Sequence, residues 1–331
     1  MVRIDARRRA APVPAALAAV LALLVGVLGL SADGTGAQTP TAQTPTAQTP
    51  PALDSVRLLA DLAVLAHDSM RGRAAGTPGS ERAARFLERA LAETGARPAP
   101  GGYRQEFRWP RGSGVNLVGI VPGTVDQDGV IVLTAHYDHL GVRDGEIYNG
   151  ADDNASGSAA VLELTRAAVA APLRHTLVVA LLDAEEEGFW GAKAFLDDPP
   201  VPLESIVLNV NLDMVSRTGG VLWASGASHT PALRPVLERL AQGAPLTLRL
   251  GHDRPGAPEG DDWTEASDHA VFFEAGIPFV YFGVEDHVDY HEPTDDFERI
   301  DPGELLAAVR TIQVGLRALD RDPPLPAGAQ R

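Results

Sequence analysis

The chain has 331 residues, no cysteine, 45% hydrophobic residues and a formal net charge of −16. That length and apolar share suffice for one large α/β domain. The charge argues against nucleic acid and anionic membrane as partners, and the lack of thiols excludes disulfides, cysteine nucleophiles and lipidation at a lipobox. Lys193 is the only lysine, no phosphate-loop motif surrounds it, and no G-x-S-x-G is present. Phosphate-loop and serine-hydrolase chemistry therefore lack a motif.

Residues 1–37 read as a secretory signal, with Arg3, Arg7, Arg8 and Arg9, then the apolar Ala15–Leu30, then the small residues Thr35-Gly36-Ala37. The apolar stretch is short for a membrane span, so the expected product is secreted or periplasmic, with no integral membrane segment after signal removal. The mature chain would be more acidic still, losing four arginines against Asp5 and Asp33. Residues 38–52 carry a TAQTP repeat that cannot bury a core and reads as a disordered linker. A single domain is expected over 53–321, followed by a loose proline-rich tail at 322–331.

Within that domain, Ser55–Asp68 and Ser80–Thr94 have amphipathic helical spacing, Ser80 serving as N-cap and Gly95 as stop. The glycine-rich Arg71–Gly79 between them reads as a plain connection. Strands are predicted at Tyr103–Trp109, Val115–Val121 and the β-branched run from Val130, which reads as buried on both faces. A helix from Ser158, a strand at Thr176–Leu182, a helix near Trp190–Leu196 and a strand at Ser205–Asp213 follow. Val221–Ala224, Leu246–Leu250 and Pro278–Phe282 are further strands; Ala232–Ala241, Asp268–Glu274 and Glu304–Leu319 are helices. This alternation implies an α/β fold, a mainly parallel mixed sheet with helices on both faces.

The strands end in metal-ligating chemistry. His136 and Asp138 follow the Val130 run two residues apart, so they point to one side and Tyr137 to the other. Asp152-Asp153-Asn154 precedes the next helix, Asp183-Ala184-Glu185-Glu186-Glu187 follows Leu182, Asp213 follows Leu212, and Tyr290-His291-Glu292 comes after the last strand. Each group alone has an ordinary explanation, such as an acid at a helix N-terminus. Their coincidence at strand ends, where open α/β sheets bind ligands, points to zinc, which takes imidazole and carboxylate.

His136-Tyr137-Asp138, Gly150–Gly157, Ala184–Gly188, Asn211–Met214, Ser267-Asp268-His269 and Tyr290-His291 together resemble the ordered signatures of the secreted zinc aminopeptidases, the aminopeptidase Y and bacterial leucyl aminopeptidase family. The resemblance spans roughly residues 55–320. It implies a phosphorylase/hydrolase-like zinc exopeptidase architecture and two zinc ions per chain. Asp152 would bridge both, with Glu186 and His291 completing one site and His136 and Asp213 the other. It further implies Glu185 as general base, Tyr290 as a carbonyl-polarising group, Asp138, Asp153 and Asp268 as supporting residues behind the ligands, and a non-proline cis peptide between Asp152 and Asp153. His269 would orient the site. His139, Glu187, His287 and Glu292 are expected in loop hydrogen bonds and an acidic rim; His67, His175, His229 and His252 fall outside any motif.

The reaction so implied is hydrolysis of the N-terminal peptide bond of peptides with a free N-terminus. A carboxypeptidase or dipeptidase of the same family, a glutaminyl cyclase-like acyltransferase and a non-catalytic receptor-like domain are the alternatives. The full ligand set and the lack of a large insertion favour the aminopeptidase.

Overall fold

The computed structural model describes residues 50–125, 129–254, 256–258 and 260–324. The expected signal segment, the part of the expected linker before residue 50 and the expected tail from residue 325 lie outside the described residues.

Helices α1 (Ser55–Leu65) and α2 (Pro78–Glu93) open the fold. Each starts where a side chain satisfies otherwise unpaired N–H groups: Asp54 accepts from Val56 and Arg57, and Thr77 from Gly79 and Ser80. The cap of α2 is thus Thr77 with Pro78 in the first turn, rather than Ser80, because proline's fixed φ suits that position. Gly95, at φ 87°, follows the helix end as expected. Then come β1 (Arg97–Pro98), β2 (Arg104–Trp109), β3 (Gly112–Val121) and β4 (Val130–His136). A hairpin not anticipated from sequence, β5 (Gly141–Arg143) with β6 (Glu146–Tyr148), fills the loop after His136.

The rest alternates: α3 (Gly157–Ala170), β7 (Thr176–Leu182), α4 (Trp190–Asp197), β8 (Ile206–Leu212), β9 (Val221–Ser225), α5 (Arg234–Gly243), β10 (Thr247–Leu250), α6 (His269–Glu274), β11 (Phe279–Gly283) and α7 (Pro302–Arg321). The main sheet runs β1-β3-β7-β4-β8-β11-β9-β10, with β2 also paired to β3. At its centre β7, β4, β8 and β11 are parallel neighbours. Antiparallel pairing of β3 with β7 and of β9 with β11 makes the sheet mixed.

Both faces of the sheet are covered, and the alternation of side chains divides the core. Ile131, Leu133 and Ala135 of β4 join Leu177, Val179 and Leu181 of β7 against α1, α2, α3, α5 and α7. Val130 and Val132 join Val178, Ala180 and Leu182 against Phe195 of α4 and Phe272 of α6. All seven residues of β4 are buried, as a central parallel strand covered on both faces requires.

Candidate metal centre

The four parallel strands share one C-terminal edge, and each delivers part of the site. His136 ends β4, Glu185 and Glu186 follow β7, Asp213 follows β8, and His291 lies in the segment after β11. Asp153 arrives from the irregular turn Ala151–Ser156 that enters α3. Its Oδ1 lies 3.4 Å from His136 Nε2, which is in turn 3.1 Å from Asp213 Oδ1. Its Oδ2 lies 3.1 Å from His291 Nε2, and that nitrogen is 3.7 Å from Glu186 Oε2. One carboxylate therefore faces two donor groups, one oxygen to each.

This corrects the expected register by one residue. Asp152 does not lie between the donor groups. Its Oδ1 accepts from Ser216 N (2.8 Å), Ser216 Oγ (2.5 Å) and Ser156 Oγ (3.1 Å), and its Oδ2 from His287 Nε2 (3.2 Å). These bonds consume the carboxylate in holding together the segments that carry Asp213 and His291. Asp153, expected behind the ligands, is at the centre instead. The cis peptide is likewise displaced, to Asp153–Asn154.

Asp138 contacts His136 mainly through its backbone carbonyl. His136 Nδ1 is 3.3 Å from the Asp138 carbonyl and 3.7 Å from its carboxylate. The carboxylate accepts from the backbone N–H of Glu185 (3.0 Å) and Glu186 (3.3 Å), fixing the glutamate pair. His139 is fully inside the cluster, with Nδ1 2.9 Å from Glu186 Oε1. Burial pushes that ring down to about 3, so it is neutral and can donate its N–H to the carboxylate.

Acid crowding perturbs the other groups. Burial lifts Glu186 to about 7, and burial with neighbouring acids lifts Glu185 well above the usual carboxylate range. Burial alone would raise Asp213, but the His136 ring beside it brings it below its ordinary value. Asp268 is pushed up to about 8 by burial, and neither carboxyl oxygen has a hydrogen-bond partner among the described residues. Asp268 is wholly buried, and the part-exposed Glu187 carboxylate is paired with Arg111. Tyr290 stacks on His291, ring centroids 4.0 Å apart.

Sequence reasoning missed Asp295 and Arg73. Buried Asp295 accepts from Asp152 N and Asp153 N (3.1 Å each), holding the turn from behind. Its place four residues after His291 was the only available signal. Arg73 lies in the stretch read as a plain connection and is fully buried.

The donor set fits zinc. Two donors about 2.0–2.2 Å from a tetrahedral zinc ion lie about 3.3–3.6 Å apart, and the separations around Asp153 run from 3.1 to 3.7 Å. The nearest cavity, about 280 Å³, is lined by these donors with Met214, Trp263, Tyr281, Val284 and Tyr290, and by Asp262 and Asp286. A larger one of about 640 Å³ lies beside Tyr137 and Asp183 and contains none of the donors.

Fold and site together define a mixed α/β protein whose strand ends converge on a paired imidazole–carboxylate cluster. The chain belongs to Peptidase family M28, whose sequence profile matches residues 116–314. It is 28% identical over 203 residues to aminopeptidase YwaD of Bacillus subtilis (strain 168), covering 58% of this chain but only 42% of that relative. A leucine aminopeptidase precursor from Bacteroides thetaiotaomicron shares the fold with a TM-score of 0.66 at 19% identity, covering 81% of this chain and 98% of that one. A Fimbriiglobus ruber glutaminyl cyclase does so equally, at 0.66 and 21%, covering 82% and 97%. The fold alone does not separate hydrolysis from cyclisation.

Proposed function

We propose that the chain is an exported zinc-dependent aminopeptidase, its residues 53–321 forming one peptidase domain. The reading is carried by the Asp153 carboxylate, which offers one oxygen to His136 and Asp213 and the other to Glu186 and His291. His136, Asp213 and Asp153 would hold one zinc ion, and Asp153, Glu186 and His291 the second. When bound, the zinc pair supplies Lewis acidity toward a peptide carbonyl and toward water.

The remaining work falls to this chain's side chains. Glu185, held beside the cluster by the Asp138 bond to its N–H, takes a proton from the attacking water and passes it to the departing amine. Burial with neighbouring acids raises its proton affinity, which favours accepting that proton. The Tyr290 hydroxyl hydrogen-bonds the substrate carbonyl as charge develops on it. Met214, Trp263, Tyr281 and Val284 surround the first side chain of the peptide, and Asp262 and Asp286 supply negative charge for the free α-ammonium group.

No described helix is long and apolar enough to cross a membrane, and export rests on the arginine-led apolar segment before residue 38. The test is hydrolysis of a panel of free and N-acetylated peptides, with and without chelator. Cleavage confined to free N-termini and abolished by chelation is the expected result. Equal rates on acetylated peptides would refute the aminopeptidase reading, and ammonia release from N-terminal glutamine without hydrolysis would replace it with a cyclase.

A further inference from the structure

Arg71, Gly72 and Arg73 take φ of 50°, 63° and 52° in succession, a left-handed run that side chains other than glycine avoid. A Cβ on Gly72 would collide with the carbonyl oxygens of Gly141 and Tyr148, so the run is pressed directly onto the β5–β6 hairpin. Its result is to drive the side chain of Arg73 inward until none of it is exposed. There Nε donates to Tyr137 O (2.7 Å), Nη1 to Leu65 O (2.8 Å) and Asn149 O (2.5 Å), and Nη2 to Gly150 O (2.9 Å).

No carboxylate pairs with it among the described residues; all four acceptors are backbone carbonyls. A buried cation spent on carbonyls is an expensive way to stabilise a loop, and neutral donors would serve if stability were the only demand. The carbonyls it joins are informative. Tyr137 lies between His136 and Asp138, and Asn149 and Gly150 lead directly into the turn that carries Asp153. Only a guanidinium presents donors in a rigid planar fork able to fix these segments at once. Burial lowers it only to about 10, so it stays charged, and the negative charges of Asp153, Asp138, Asp295 and Glu186 favour that charge.

We propose that Arg73 is a positioning residue of the metal centre, which sets the spacing between the β4 end bearing His136 and the turn bearing Asp153 so that their donors are arranged before metal binds. This rests on the zinc reading above. It also assigns a role to the glycine-rich Arg71–Gly79 segment: the segment delivers the brace.

The experiment is zinc titration of the full chain against a competing chelator, with melting curves of chelated and zinc-loaded protein, for wild type and Arg73→Lys. Lysine keeps the charge but loses the fork. The expected result is a zinc affinity lower by about 10–100-fold, the range for residues that orient ligands, and a smaller zinc-induced rise in Tm. A purely structural role would lower both Tm values equally and leave the affinity unchanged, which would overturn the proposal. Wild type that binds no zinc would instead refute the metal-centre reading itself.

Should Arg73→Lys not fold, nitrogen-15 NMR of arginine-labelled wild type decides. One guanidinium Nε–H should be strongly protected from exchange and shift on zinc addition. A protected signal indifferent to zinc, or none protected, would overturn the proposal.

Discussion

The adjacent aspartates offer the sharpest separation of roles. In Asp152→Asn an oxygen remains for Ser216, but an amide NH₂ now faces His287 Nε2. That nitrogen is a donor, because His287 Nδ1 accepts from Asp289 N at 3.2 Å. One charge-assisted bond is lost, about 1.5–3 kcal/mol, or about 3–12 °C in Tm for a domain of this class. Zinc content should be nearly unchanged. Asp153→Asn should behave oppositely. Its carboxylate faces His136, His139 and His291, and burial with neighbouring acids raises its proton affinity despite those rings. Neutralising it should leave the chelated protein as stable or more so, while zinc content falls at both positions because the shared ligand is gone. Elemental analysis beside melting curves of chelated and loaded protein measures both effects. If Asp152→Asn loses zinc while Asp153→Asn keeps it, the one-residue correction is wrong.

Two further outcomes follow from the same geometry. Glu185→Gln should keep its zinc and lower kcat by about 10²–10⁴, whereas Glu186→Gln should lose zinc from one position and recover partly in excess metal; kinetics beside elemental analysis would expose a swapped assignment. Chelated protein should melt lower as pH rises from about 4 to about 8. Glu186, Asp268 and Asp295 start from 4.5, 3.8 and 3.8 and are raised to about 7, 8 and 7 by burial, so in the fold these carboxyls hold protons that the unfolded chain releases, and together they outweigh His139 and His269, which burial lowers from 6.5 to about 3 and 4 and which act in the opposite sense. Zinc affinity should rise over the same interval because binding displaces those protons; a chelated protein that gains stability with pH would contradict this.

How much of this was legible in the sequence depended on how local the determining contacts are. The boundaries of β7 were readable because Thr176–Leu182 is a compact apolar run between polar residues, and the strand-end positions of His136 and Asp213 followed from such runs. A mixed sheet with helices on both faces was expected; which of its strands run antiparallel was not. β3 pairs antiparallel with β7, a pairing decided across the sheet rather than within either strand. Likewise, nothing within Asp152-Asp153-Asn154 says which carboxylate turns toward the donor cluster. The turn leaves helical geometry at Asp153 and Asn154, so neither strand nor helix periodicity assigns a face. The choice is made by distant partners: Ser216 and His287 claim Asp152, while Asp295 fixes the backbone of both aspartates. Arg73 was hidden for a related reason. A glycine-rich stretch ordinarily marks a surface connection, and only the hairpin pressed against Gly72 makes it a route into the interior. The proposed ligands lie at or after strand ends and can be found from local patterns; the residues that hold them in place act over long sequence distances. A sequence reading can therefore recover the composition of such a cluster and still misplace its central carboxylate by one residue.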